Sequence, residues 1–281
     1  MKPPAGRPES RARSPALTGG VNVRACYRGV MDTALRPELA PGSSYEDEPS
    51  ALQPIAVRWL GPIDYRAAWA LQRELVDARV AGLIPDQLLL LEHPAVLTLG
   101  RHSDERFVRA SSTELERRGI EVIRVERGGE VTYHGPGQLV AYPILALSRR
   151  GLLIRPLVRA LEAALAETCR ELGVAAGART GHPGCWVLPD GGEPRKIGAL
   201  GLRIERGVSF HGIALNIDPA MSDFELLDAC GMPGVASTSI AQELGRPFEA
   251  PSTAAVARAG AIFARAFLRQ LGAESVGGLP A

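Results

Sequence analysis

The stretch RVERGGEVTYHGPGQLVAY, Arg124 to Tyr142, decides how this chain is read. Val125, Val131 and Leu139 to Tyr142 are β-prone, and HGPGQ interrupts them, so the pattern predicts strand, turn, strand. Gly128, Gly129, Gly135 and Gly137 flank Thr132, Tyr133 and His134. Glycine permits another group to approach the backbone closely. One or two glycines serve a structural hairpin. Four around a polar trio read as a surface built to receive something, against the plainer reading of a tight hairpin with its histidine satisfied inside.

Outward from this stretch, strands and helices alternate. Ala56–Leu60 reads as a first strand and Asp64–Val80 as a helix ended by Gly82 and Pro85. Gln87–Leu91 is a continuous apolar run, expected to be a central strand. Ala95–Leu99 and Ile120–Val125 read as strands, with a short helix at Thr113–Arg118 between them. Gln138–Leu145 continues the sheet, Pro143 favouring an edge or a strand end. Pro156–Leu172 carries Val158, Leu161, Leu165, Cys169 and Leu172 at helical spacing. Cys185–Leu188, Arg195–Arg203 and Val208–Ile217 read as strands, Thr238–Leu244 starts a helix, and Thr253–Leu271 is the last one. The expected fold is α/β (α+β), a single domain over 52–271 with a mixed sheet. Residues 1–50 read as a disordered or non-native extension, translation from Met31 being the second option, and 272–281 as a flexible tail.

The composition excludes several classes. The 281 residues hold 32 basic and 31 acidic side chains, so no strong field argues for nucleic acid. No run approaches the ~20 apolar residues that span a membrane, and no secretory signal opens the chain. Cys26, Cys169, Cys185 and Cys230 form no CxxC pair, which argues against a thiolate zinc site or a disulfide framework and for a reducing compartment, the cytoplasm. There is no P-loop, no GxGxxG, no GxSxG and no HExxH.

Two residues draw a chemical reading. Cys230 stands outside any periodic run and is followed by Gly231, Pro233 and Gly234, as a reachable thiol would be. Lys196 is notable because the only other lysine is Lys2, the remaining 30 basic residues being arginine. A desolvated lysine can lose its proton and an arginine cannot. Either Lys196 or His134 could raise the thiolate fraction of Cys230. The plain alternatives are a solvated hairpin lysine and a buried loop cysteine. Cys169, on its helical stripe, reads as a small buried hydrophobe.

RGGEVTYHGPGQLVAYP resembles the signature of the octanoyl-[acyl carrier protein]:protein N-octanoyltransferases, also called lipoate-protein ligase B. EHPAVLTLGR (Glu92–Arg101), PGCWV (Pro183–Val187), RKIGALGLRIERGVSFHGIALNI (Arg195–Ile217) and ACGMPG (Ala229–Gly234) follow the family's order. Cys185 stands where the family usually has a small or aliphatic residue. The resemblance implies the fold of lipoate and biotin protein ligases without ATP, and no cofactor or metal. It implies transfer of octanoyl from octanoyl-acyl carrier protein to a lysine of lipoyl domains, on 2-oxoacid dehydrogenase E2 subunits and on glycine-cleavage H protein. The nucleophile then falls on Cys230 and the catalytic lysine on Lys196. Substrate-binding positions fall on Arg127, Gly128, Gly129, Thr132, Tyr133, His134, Gly135, Gly198, Leu200, His211 and Gly212. An acidic carrier protein would favour a basic rim, with Arg101, Arg149 and Arg150 as candidates. The rivals are an ATP-dependent ligase, a non-catalytic carrier-binding module and a cysteine hydrolase using His134.

Overall fold

The computed structural model describes residues 54–228, 234–248 and 252–276. The 1–50 extension and Cys230 lie outside the described residues.

The chain opens with β1 (Ile55–Pro62), α1 (Tyr65–Val80) and β2 (Gln87–Glu92), a parallel crossover unit. Asp64 caps α1, its Oδ1 accepting from the Ala67 N–H at 3.0 Å. The stripe Tyr65, Ala68, Leu71, Gln72, Leu75, Val76 and Arg79 is the buried face. A three-stranded sheet follows, built from β3 (Val96–Leu99), β4 (Glu121–Arg124) and β5 (Val131–His134), with α2 (Ser112–Arg118) between β3 and β4. Leu97, Leu99, Leu115, Ile120, Val131, Tyr133, Leu226 and Leu227 form its own core.

The main sheet resumes with β6 (Gln138–Ile144). After α3 (Ile154–Glu171) come β7 (Gly177–Arg179), β8 (His182–Val187), β9 (Arg195–Glu205) and β10 (Val208–Asn216). β11 (Ala236–Ser237), α4 (Ile240–Glu243), α5 (Ser252–Leu271) and β12 (Ser275–Val276) complete it. The order is β12-β1-β2-β6-β10-β9-β8-β7, with β11 beside β9. Leu88, Leu90, Leu139 and Ala141 turn to α3 and α5, where Leu157, Leu161, Leu165, Val256, Phe263 and Phe267 meet them. Gly260 lets α5 sit close, since a Cβ there would lie 3.3 Å from Leu139 Cδ1 and 3.4 Å from Leu90 Cδ1. α1 packs against β6 and β10.

Two expectations change, the first and the third, and the second resolves to one of its two alternatives. β5 and β6 are consecutive strands but not a hairpin: β5 pairs with β3 in the small sheet and β6 with β2 and β10 in the large one. The HGPGQ turn therefore passes the chain from one sheet to the other, as neither a one-sheet continuation nor a tight hairpin would. Second, β6 is central, so Pro143 marks a strand end and not an edge. Its missing N–H costs little because the β6–β10 ladder has already ended at Ala141–Ile213, and the Pro143 carbonyl accepts from Ser209 Oγ at 2.7 Å. Third, the tail is not flexible throughout: Ile55 and Ala56 pair in parallel with Ser275 and Val276.

Candidate active site

The site starts at the turn between β4 and β5. The Gly128 N–H donates to the Leu202 carbonyl at 2.9 Å, laying this loop across β9. The crossing needs Gly201, where a Cβ would stand 2.7 Å from the Gly128 carbonyl oxygen. Arg127 clamps the loop from below, Nη2 donating to the Thr98 carbonyl (2.7 Å) and Oγ1 (2.8 Å) and Nη1 to the Gly128 carbonyl (3.0 Å). Buried in this way, Arg127 shapes the loop and also lines a cleft beside it.

Three depressions meet around the loop. The first, about 450 Å³ counted to its open mouth, is walled by Val131, Leu200, Ile213 and Ala214 and floored by Tyr65, His134, Tyr142 and His211. The second, about 990 Å³ on the same basis, runs from Gly128–Glu130 past Ile154, Val158, His182 and Pro183 to Lys196. The third, about 290 Å³, holds Thr132, Gln138, Lys196, Gly198, Asn216 and Ser237. Lys196 is common to the second and third, Thr132 to the first and third, and Gly129, Glu130, Leu200 and Gly201 to the first and second.

Lys196 is buried on β9. Its Nζ donates to the Pro183 carbonyl at 3.1 Å and lies 5.0 Å from the Trp186 ring centroid, a cation–π distance. Trp186 is fixed in turn, Nε1 donating to the His182 carbonyl at 2.9 Å. After the segment that contains Cys230, the described chain resumes at Gly234 and runs as β11 beside β9. Ser237 is the register partner of Lys196, and the Thr238 N–H donates to the Lys196 carbonyl at 2.9 Å.

His134 reaches the same place through side chains. Its Nδ1 lies 2.7 Å from Gln138 Oε1, while Gln138 Nε2 donates to Asn216 Oδ1 (2.9 Å) and Asn216 Nδ2 to the Thr238 carbonyl (2.8 Å). With the Gln138 amide so oriented, His134 carries its proton on Nδ1. His93 lies beneath, Nδ1 on the Ile63 carbonyl and Nε2 on the Tyr142 hydroxyl, both at 2.8 Å. His211 is strained at φ +54°, and both ring nitrogens are buried without a hydrogen bond. Its Nε2 is 3.9 Å from Glu126 Oε2, beyond hydrogen-bond reach.

Burial keeps all three of these histidines neutral. Desolvation pushes His93 down to about 4, against the Ile63 carbonyl and Asp64, which favour the proton. Desolvation, followed by the neighbouring His93, holds His134 well below the ordinary imidazole value, and desolvation lowers His211 against the pull of Glu126. An unfolded histidine titrates near 6.5, so below that pH the unfolded chain takes up a proton that folded His93 refuses down to about 4. Stability is therefore lost as pH falls through this window, by about 3 kcal/mol from His93 alone. The urea midpoint is expected to drop between pH 7 and pH 4.5; a flat midpoint would contradict a neutral buried His93.

The other site positions of the sequence reading divide. Gly128, Gly129, Thr132, His134, Gly198, Leu200, His211 and Gly212 line at least one cleft. Tyr133 and Gly135 line none of these three. Tyr133 is buried in the small sheet, ring against Phe224 and hydroxyl donating to Asp223 Oδ2 at 2.7 Å, and a Cβ on Gly135 would stand 2.5 Å from its Cζ. Alternation along β5 turns Tyr133 away from its neighbours Thr132 and His134. Arg150 is no rim residue: its guanidinium is buried against Asp86, which also binds Arg79 at 2.6 Å. Sequence reasoning missed Tyr65 and Tyr142, whose helical and strand positions read only as core, and Trp186, whose only signal was its place in PGCWV. Among the described residues no cluster of three or more metal-ligating side chains exists, and no helix is long and apolar enough to cross a membrane.

Residues 64–260 match the model of the lipoyl protein ligase A/B catalytic domain. An octanoyltransferase of Mycolicibacterium gilvum is 46% identical over 198 residues, 70% of this chain and 79% of the relative. One of Chloroflexus aggregans is 44% identical over 207 residues, 73% of this chain and 91% of the relative. Among solved structures, a bipartite lipoate protein ligase with its E2 lipoyl domain from Thermoplasma acidophilum superposes with a TM-score of 0.54 at 14% identity, over 81% of this chain and 86% of that one, a likeness of fold. The chain thus belongs to the lipoyl protein ligase A/B catalytic domain family, and within it to the octanoyltransferases.

Proposed function

We propose that this octanoyltransferase takes octanoyl from octanoyl-acyl carrier protein and delivers it to the lysine ε-amine of a lipoyl domain, through a thioester on Cys230. The acceptors are lipoyl domains of 2-oxoacid dehydrogenase E2 subunits and of glycine-cleavage H protein. The observation that carries this reading is Lys196, buried where two clefts join and bordered by the strand that follows the Cys230 segment.

The chemistry balances without a nucleotide. The Cys230 thiolate attacks the donor carbonyl, the bond to the carrier sulfur breaks, and that sulfur leaves as a thiol with the proton taken from Cys230. The acceptor amine then attacks the Cys230 thioester, losing a proton as the amide forms and the thiol of Cys230 is restored. Lys196 takes and returns the proton in each half, or stabilises the thiolate by charge. The oxyanion needs preorganised donors, and the glycine-rich loop supplies the kind of backbone that brings N–H groups close. The first cleft, apolar at its walls, receives the acyl chain, whose burial is worth ~0.8 kcal/mol per CH₂, about 5 kcal/mol in all. The test is transfer with no ATP present: octanoyl-acyl carrier protein plus lipoyl domain should yield octanoylated domain. Product only from free octanoate and ATP would mean an ATP-dependent ligase instead.

A further inference from the structure

Lys196 Nζ holds the carbonyl of Pro183, and the same peptide unit is held from its other end. The N–H of Gly184, which shares that peptide bond, donates to Glu162 Oε1 at 3.0 Å. Glu162 is half-buried on α3, facing β8. One planar amide thus stands between a carboxylate and an ammonium. A carboxylate on the N–H drives electron density onto the carbonyl oxygen, which strengthens the hydrogen bond that oxygen accepts. The peptide cannot take this orientation with a side chain present. Gly184 has φ +122°, and a Cβ there would lie 2.5 Å from the Gly198 carbonyl oxygen and 3.0 Å from Lys196 Cε.

We infer that Glu162 is a positioning residue for Lys196, acting through the Pro183–Gly184 peptide. It fixes where the Lys196 Nζ sits, by holding the peptide whose carbonyl Nζ bonds. The other titratable side chains on the walls of the same cleft are His182, on the strand after the β7 turn, and Glu130, on the glycine-rich loop. Neither bonds to this peptide. The inference rests on the proposed role of Lys196 in transfer for its effect on rate, but not for its effect on the lysine itself.

The composition supplies a direct probe. Lys196 and Lys2 are the only lysines, so protein grown with [ε-¹³C]lysine shows two side-chain signals, and Lys2→Arg assigns them. Glu162→Gln keeps an oxygen to accept the Gly184 N–H and removes the charge; Glu162→Ala removes both. In Glu162→Gln, which weakens the grip on the Gly184 N–H, the Lys196 signal is expected to shift from its wild-type position and kcat to fall about threefold at unchanged KM. In Glu162→Ala kcat is expected to fall about tenfold or more, at unchanged KM for octanoyl-acyl carrier protein, and the Lys196 signal to shift further from its wild-type position than in Glu162→Gln. Glu171→Gln, which alters an exposed partner of Arg265 on the same helix, serves as the control and should match the wild type.

A Lys196 signal and kcat in Glu162→Gln equal to the control would overturn the inference, and so would a loss confined to KM. Because Gln is isosteric and keeps the bond, it preserves the test if Ala unfolds the α3–β8 contact. Should wild-type protein fail to transfer octanoyl at all, the reading of function falls, while the lysine signal still decides the role of Glu162.

Discussion

Lys196→Met is expected to lower octanoyl transfer about 10³-fold while leaving the fold in place. Methionine is unbranched and fills the space over Trp186 that the lysine stem occupies, so packing survives. What is lost is a group at the joint of two clefts able to exchange a proton. General acid–base catalysis contributes 10²–10⁴-fold, which sets the size of the effect. Lys196→Arg should fail nearly as badly. Its charge persists but does not leave at neutral pH, and its planar fork does not fit the geometry of the bond to the Pro183 carbonyl in the space that Gly184 leaves. Rates for both variants, with near-ultraviolet dichroism to confirm packing, make the check. A Met variant within tenfold of wild-type kcat would remove Lys196 from the chemistry.

Gly212→Ala should be the most damaging single methyl group in the first cleft. A Cβ at 212 would collide with the Ala141 carbonyl oxygen and stand 2.8 Å from Pro143 Cδ. Both belong to β6, the central strand, and neither can give way without breaking its pairing with β2. The preceding residue, His211, is already held at φ +54°. Overpacking a core costs typically 1–3 kcal/mol, and a rigid backbone partner puts this case at the upper end, about 3 kcal/mol. A matched Ala214→Gly change on the same strand should cost only roughly 1 kcal/mol. Equal urea midpoints for Gly212→Ala and wild type would mean the two strands are not in this contact.

The sequence carried the helices α1, α3 and α5 openly, because an apolar stripe repeating every three or four residues lines up on one side of a helix and scatters over both faces of a strand. It carried β2 and β6 equally well, as apolar runs between breaks. It could not carry which sheet a strand joins. β5 and β6 are both short β-prone runs, and only the turn's path sends Tyr133 into one core and Leu139 into another. β12 is held by pairing to β1, and its exposed side chains leave no apolar pattern to read. Arg150 illustrates the same limit, since nothing local distinguishes a rim arginine from one buried on Asp86 sixty-four residues earlier. At the site, the rarity of lysine singled out Lys196, and the glycines marked the loop. Glu162 stayed invisible because its partner is a backbone N–H twenty-two residues away.

The central claim is an acyl group carried on Cys230. The measurement that meets it most directly is intact mass after mixing the protein with octanoyl-acyl carrier protein, without ATP and without acceptor, beside the Cys230→Ser variant. The account predicts a gain of one octanoyl group, ~126 Da, on the wild type, lost when a lipoyl domain is added and absent as a thioester from the variant. Transfer that proceeds with no adduct, and at an undiminished rate in Cys230→Ser, would contradict it and mean direct attack of the acceptor amine on the carrier thioester.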